Sequence, residues 1–156
     1  MLEEPNLRHN VITASVQVSY GLQMDELAFL PLGADVNTAV YRAVGLDGSA
    51  YFLKLRKGTF DEITVALPKF LSAHDFRQVI APLETKNGRL WAELGAYKLI
   101  LYPFVAGQDG YQLALTDRQW LEFGAAVKAI HRAQLPPDLL HRLPRETFDP
   151  RWRSRV

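Results

Sequence analysis

Cysteine is absent from the 156 residues of this chain. Its absence excludes disulfide bonds, thiolate catalysis and cysteine-ligated zinc, and the expected setting is a reduced, cytoplasmic one. Long apolar segments are absent too. No run approaches the ~18 residues of a membrane span, and the initial segment MLEEPNLRHN lacks the apolar core of a signal peptide. The formal net charge of +1 is too small to predict binding to nucleic acid or to an anionic membrane.

A phosphate-binding loop of the Gly-x-x-x-x-Gly-Lys type is also missing from the sequence. A nucleotide site in this protein would therefore have to be built from other parts. The bulk composition is that of an ordinary globular chain, with 48% hydrophobic and 22% charged residues. The length predicts one domain, or one lobe of a larger protein.

The most informative stretch is SAYFLKLRKG, residues 49–58, which alternates in the manner of a half-buried strand. Lys54 lies in its middle. A lysine in such a position usually lies on a solvated face, and the alternative is a lysine that binds a ligand. The alternation places Tyr51, Leu53 and Leu55 on one face of the strand and Phe52, Lys54 and Arg56 on the other.

Similar patterns predict the remaining helices and strands. Gly21 is expected to end the first helix, and Pro68 is expected to kink or split the second. Thr116 and Gln119 form a capping box at the start of the third. The predicted helices are residues 7–22, 61–73 and 116–134; in the first of them the β-branched residues would also suit a strand. The further predicted strands are 27–32, 38–44, 79–83, 89–93 and 97–105, and hairpin turns are predicted at 46–48 and 86–88.

Two connecting segments have both a structural and a functional interpretation. The segment from Gly33 to Asn37 is typical of an ordinary turn, but its backbone N–H groups are also suited to binding an anion, with Asn37 fixing the loop. Pro103 lies near the end of an apolar run. In a central strand its missing N–H would leave one hydrogen bond of the sheet unformed. In a hinge that binds adenine only alternate backbone groups face the ring. There the Pro103 carbonyl would accept a hydrogen bond and the Val105 N–H would donate one.

Together these stretches resemble the aminoglycoside phosphotransferases, a family with a protein-kinase-like fold, and within that family the spectinomycin phosphotransferase branch. The resemblance extends from about Leu7 onward, matches the amino-terminal lobe and linker, and is strongest over residues 59–71 and 79–107. It is carried by GADVNTAVY (33–41), FLK (52–54), YPFVAG (102–107) and FGAAVKAIH (123–131), in this order and spacing.

The resemblance implies transfer of the γ-phosphoryl group of ATP, with Mg²⁺, to a hydroxyl group of a small molecule. Lys54 would pair with the α- and β-phosphates, and Tyr102 would be the gatekeeper. A carboxylate on the next helix should hold Lys54. Glu62 is preferred to Asp61 for this role, although only seven residues separate it from Lys54. Phe52 stands where many kinases keep a small residue, which would narrow the nucleotide pocket.

The family's catalytic His-x-Asp, followed five residues later by Asn, does not occur in this sequence, and its later metal-binding Asp has no counterpart. We therefore expect neither a catalytic residue nor a Mg²⁺ ligand here, and no phosphoryl transfer by these residues alone. The expected organisation is a nucleotide-binding lobe over residues 1–102, a hinge and connector over 103–115, and a linker helix with the start of a second lobe over 116–156.

The helix predicted at 116–134 carries an apolar stripe formed by Trp120, Phe123, Val127 and Ile130. An uncovered stripe of this size predicts self-association.

A rival interpretation is a non-catalytic binding or interaction module that keeps the shape of a kinase lobe. Lys54 would then be a solvated strand residue and Gly33 an ordinary hairpin residue. Both interpretations predict the same fold class: α+β, with an antiparallel sheet of about five strands, an equivalent of the kinase C-helix, a hinge and a linker helix.

Overall fold

The computed structural model describes residues 3–33, 35–108, 110 and 113–145. Its strands are β1 (Met24–Leu30), β2 (Thr38–Gly45), β3 (Ala50–Lys57), β4 (Ala92–Leu94) and β5 (Tyr97–Pro103), and its helices are α1 (His9–Tyr20), α2 (Ile63–Ala73), α3 (Asp117–His131) and α4 (Pro137–Arg142). The strands form one antiparallel sheet in the order β1-β2-β3-β5-β4. The predicted α+β fold class is therefore confirmed. In this part of the chain no helix is long and apolar enough to cross a membrane.

Helix α1 covers one face of the sheet. Ile12 and Val16 lie one turn apart on the same side of the helix and are fully buried. Gly21 ends the helix as predicted, in the left-handed conformation (φ 77°) that a residue without a Cβ adopts most easily. The strands contribute Ala39, Tyr41, Leu53, Leu55, Leu99 and Leu101 to the same core.

Strand β3 lies in the middle of the sheet, paired with β2 on one side and with β5 on the other. Leu53 and Leu55 point into the α1 core, so Lys54 points to the opposite face, as the alternation predicts. The turn before β3 is also confirmed. Asp47 accepts a hydrogen bond from the Ser49 N–H at 3.0 Å, and Gly48 has a φ of 80°.

Helix α2 does not break at Pro68, so of the two predicted effects of this proline, a kink or a split, the split is wrong. The helix runs through Pro68 as one element. Ile63 and Val65 are buried on one side of the proline and Leu71 on the other, and such packing supplies most of the stability of a short helix. Asp61 precedes the helix and accepts a hydrogen bond from the Ile63 N–H at 3.0 Å.

The strand predicted at 79–83 is wrong, because these residues do not form a strand. In place of the strand predicted at 89–93 the structure has the shorter β4, Ala92–Leu94. Pro82 has no N–H to contribute to a ladder. Leu83 forms a single backbone bond, from its N–H to the Leu101 carbonyl at 2.7 Å. The predicted turn at 86–88 is present, and its Gly88 has a φ of 72°.

Helix α3 begins with the predicted capping box. Thr116 Oγ1 accepts from the Gln119 N–H at 3.3 Å, and the Gln119 side chain accepts from the Thr116 N–H at 2.9 Å. The helix ends at His131, three residues before the predicted end. Pro137 opens the short helix α4, because proline is well suited to the first position of a helix.

Candidate functional site

Lys54 lies in the wall of three adjoining cavities on the face of the sheet opposite α1. We name them the hinge cavity, of about 320 Å³, the loop cavity, of about 340 Å³, and the helix cavity, of about 310 Å³. Phe52 lies between the first two, and Tyr102 between the first and the third. Each cavity has the size of a small-molecule site. The lysine of the middle strand is thus the residue at which all three meet.

The hinge cavity is lined by the end of β5 and the residues that follow it. Besides Lys54, its wall consists of Phe52, Ile80, Tyr102, Pro103, Phe104 and Val105. The rings of Phe52 and Tyr102 meet edge to face, with centroids 6.5 Å apart, and burial raises the pKa of the Tyr102 hydroxyl. The lining is therefore mostly apolar and aromatic, with a cation at one end.

The backbone groups at the end of β5 alternate in direction. The Phe104 N–H donates to the Ala50 carbonyl at 3.1 Å and so points toward β3, whereas the Leu101 carbonyl points away from β3 toward Leu83. Successive residues of a strand direct their backbone groups to opposite sides. Pro103, the last residue of β5, has the same orientation as Leu101, so its carbonyl points away from β3. The β3–β5 ladder therefore needs no N–H at this position.

The loop cavity lies beneath the turn between β1 and β2. Leu32, Gly33, Asp35, Thr38, Val40 and Phe52 form its wall together with Lys54. Gly33 has a φ of 100°, a conformation that favours glycine. The Asp35 carboxylate organises the turn, because it accepts hydrogen bonds from the Asn37 N–H at 3.0 Å and from Thr38 Oγ1 at 3.1 Å.

Asp35 is also ion-paired with Arg56 of β3. The pKa of the Asp35 carboxyl is lowered, mainly by the hydrogen bond from the Asn37 N–H. The hydrogen bond from Thr38 and the positive charges of Arg56 and Lys54 act in the same direction, and they outweigh the opposing effect of desolvation. Asp35 is therefore a carboxylate at neutral pH.

The helix cavity connects Lys54 with the start of α2. Its wall includes Arg56, Thr59, Phe60, Asp61, Thr64, Ile100 and Tyr102. Phe60 packs edge to face on Trp91, with ring centroids 5.5 Å apart. Of the two carboxylates considered for Lys54, Asp61 lines this cavity and Glu62 does not.

The predicted ion pair between Lys54 and Glu62 is not formed in this structure. Glu62 lies at the N-cap of α2, and its carboxylate is 3.8 Å from Arg142 of α4. Among the described residues Lys54 pairs with no carboxylate. The short connection between β3 and α2 explains this geometry, since it leaves Glu62 before the first turn of the helix.

The structure thus brings together most of the residues selected from the sequence. Lys54, Gly33, Tyr102, Pro103 and Val105 line the joined cavities. Asn37 takes part in the turn through its backbone N–H, which donates to the Asp35 carboxylate. Neither Asn37 nor Glu62 lines the three cavities.

Sequence reasoning gave no site role to Asp35, Arg56 or Ile80. Arg56 could have been found from its position two residues after Lys54, on the same face of the strand. For Asp35 the available signal was the Asp-x-Asn-Thr pattern of a side-chain-capped turn. Ile80 belongs to the segment wrongly predicted as a strand.

The Mg²⁺ that the family resemblance implies finds no ligand set in the described part of the chain. No three His, Cys, Asp or Glu side chains lie close enough together there to hold a metal ion. We assign no residue to the metal and no chemical step to it.

Comparison with solved structures gives clear similarities. A spectinomycin phosphotransferase in complex with ADP and spectinomycin superposes with a TM-score of 0.86 at 29% identity, over 97% of this chain and 45% of that one. The AMP-bound complex of spectinomycin phosphotransferase gives a TM-score of 0.80 at 26% identity, over 95% of this chain and 45% of that one. The resemblance to the aminoglycoside phosphotransferases is confirmed.

An amicoumacin kinase in complex with AMP-PNP and Ca²⁺ has the same fold, with a TM-score of 0.62 at 20% identity, over 85% of this chain and 43% of that one. The present chain spans about 45% of the length of the spectinomycin phosphotransferase structures, consistent with an amino-terminal lobe. No protein-family model matches the chain, and no curated protein sequence matches it significantly.

Proposed function

We propose that these residues form the ATP-binding lobe of a phosphotransferase that acts on a hydroxyl group of a small molecule. The observation that carries the proposal is the position of Lys54, a cation on the middle strand at the junction of the three cavities. One cavity has an apolar lining suited to a purine, with the Pro103 carbonyl at its wall. Another lies under a glycine turn suited to phosphates.

The two structures above 25% identity support the same proposal, because they contain ADP and AMP. In the proposed complex the adenine lies in the hinge cavity between the Pro103 carbonyl and the Val105 N–H, with Tyr102 as gatekeeper. Lys54 binds the α- and β-phosphates beneath the Gly33–Asn37 turn.

The carboxylate that orients Lys54 is proposed to be Asp61 rather than Glu62, because only Asp61 shares a cavity with the lysine. Glu62 stays the alternative, and its contact with Arg142 at 3.8 Å is long enough to be exchanged for another partner.

The acceptor hydroxyl belongs to an antibiotic-like or metabolite molecule, and we propose that the groups that bind and activate it are not among these 156 residues. The sequence contains no His-x-Asp-x-x-x-x-Asn motif, so no general base for the hydroxyl can be assigned in it. These residues alone are therefore expected to bind nucleotide without transferring its phosphoryl group.

The proposal is tested by calorimetric titration of the purified chain with Mg-ATP, beside an assay of phosphoryl transfer to spectinomycin. We expect saturable binding at one site per chain and no phosphorylated product. Adenosine should bind more weakly, because it lacks the groups that Lys54 would contact. A correctly folded chain that gives no heat with Mg-ATP would contradict the proposal and favour the non-catalytic module. Product formation would contradict the expected lack of activity.

Self-association is a separate prediction, and it concerns α3. No residue of this helix is buried in the structure, and its side chains Trp120, Leu121 and Phe123 are 57%, 75% and 59% exposed. Because large apolar side chains exposed next to one another favour association, the molar mass from light scattering after gel filtration should rise with concentration. Trp120→Gln should reduce the rise. A constant monomer mass over a hundredfold range of concentration would contradict this prediction.

A further inference from the structure

The turn over the loop cavity carries a negative charge at the place where a nucleotide would bring its phosphates. Asp35 lines the same cavity as Lys54 and is ion-paired with Arg56, which lines the adjoining helix cavity. We propose that the Asp35 carboxylate stands in for a phosphate group in the nucleotide-free chain. On this proposal, ATP binds by displacing Asp35 from Arg56, which then becomes a second phosphate-binding cation beside Lys54. The inference rests on the proposed function.

The donors around Asp35 are those that recognise a phosphate. Its two oxygens accept from a backbone N–H of the turn, from the Thr38 hydroxyl and from the Arg56 guanidinium. Backbone amides of a turn and an arginine side chain are the recurrent partners of phosphate oxygens. The Asp35 carboxylate is therefore bound by three donors of the kinds that bind a phosphate. It lies in the same cavity as Lys54, the residue proposed to bind the α- and β-phosphates.

Exchange of the partners requires no rearrangement of the sheet. Arg56 is two residues from Lys54 on β3, so both side chains leave the same face of one strand. The Asp35 and Arg56 side chains are 41% and 34% exposed, and ion pairs with this access to water are weak. The triphosphate of ATP carries several negative charges and would therefore compete effectively with Asp35 for Arg56. Until Asp35 moves away, its negative charge would repel the phosphates.

The test compares Asp35→Asn with a matched control, Asp47→Asn. Asparagine keeps a side-chain oxygen that can accept from the Asn37 N–H, so the turn is retained while the charge is removed. Asp47 has the same role in the next turn, where it accepts from the Ser49 N–H at 3.0 Å and from the Ser49 hydroxyl at 3.0 Å. It lines none of the three cavities that contain Lys54.

Each protein is titrated with Mg-ATP and with adenosine by calorimetry. Asp35→Asn should bind Mg-ATP about threefold to tenfold more tightly and adenosine with unchanged affinity, whereas Asp47→Asn should match the unmodified chain with both ligands. Arg56→Gln should bind Mg-ATP more weakly, and adding Asp35→Asn to Arg56→Gln should give little of the gain seen in the single variant.

Equal or weaker binding of Mg-ATP by Asp35→Asn would overturn the inference, and so would an equal gain for adenosine, which would indicate a general effect on the turn. If the unmodified chain binds Mg-ATP and Asp35→Asn brings no gain, the proposed function stands and only the inference fails. No binding by either protein would overturn both.

Discussion

Replacing Lys54 with alanine is expected to weaken the binding of Mg-ATP by about 10- to 100-fold. The estimate follows from the ~1.5–3 kcal/mol that a hydrogen bond to a charged group contributes, at ~1.4 kcal/mol for each tenfold change in affinity. The affinity for adenosine should change little, because adenosine has no phosphate to lose. Calorimetric titration with both ligands measures the difference directly.

Lys57→Ala is the matched control for this substitution. Lys57 is on the same strand and carries the same charge, but it is exposed and lines none of the three cavities. It should leave both affinities nearly unchanged. An equal loss of ATP binding in the two variants would mean that the net charge of the chain, rather than the position of Lys54, governs binding, and the assignment of Lys54 would then be wrong.

Leu55→Ala is expected to lower the free energy of unfolding by about 2–5 kcal/mol, the usual range for a leucine removed from a packed core. Leu55 is fully buried and lies between Ala39 and Leu99 on the neighbouring strands. Truncation would leave a void on the middle strand beneath α1. Urea denaturation followed by circular dichroism gives the change.

Leu46→Ala removes the same atoms from a leucine that is 65% exposed, and the free energy of unfolding should change by less than about 0.5 kcal/mol. A loss at Leu55 no greater than that at Leu46 would show that the core beneath α1 is not packed as described. Thermal denaturation in the presence of Mg-ATP would show whether the two leucines also differ in nucleotide binding.

Local sequence patterns predicted correctly those parts of the structure that depend on residues close together in the chain. The alternation around Lys54 fixed which side chains of β3 face the core, because a strand offers only two faces. The capping box at Thr116 located the start of α3 to the residue.

Other features depend on contacts between distant segments, which local patterns do not contain. The 79–83 segment has the composition of a strand, yet only Leu83 finds a partner on β5. The path of α2 through Pro68 depends on buried side chains on both sides of the proline. The partner of Glu62 is Arg142, which lies in a helix that the sequence did not predict.

The proposed phosphate-binding site combines a strand and a turn that differ in the number of their backbone hydrogen bonds. We expect this difference to determine how quickly the amides of each segment exchange their hydrogens with water. Amides of β3 are hydrogen-bonded to neighbours on both sides of the sheet, so their exchange with deuterated water should require cooperative unfolding of the whole lobe. β1 pairs with β2 alone. Hydrogen bonds to the Asp35 carboxylate and a few backbone bonds, such as that from the Thr38 N–H to the Asp35 carbonyl, hold the turn that follows it. Its amides should exchange orders of magnitude sooner. We therefore expect the turn over the loop cavity to open on a shorter time scale than β3, the strand that carries Lys54.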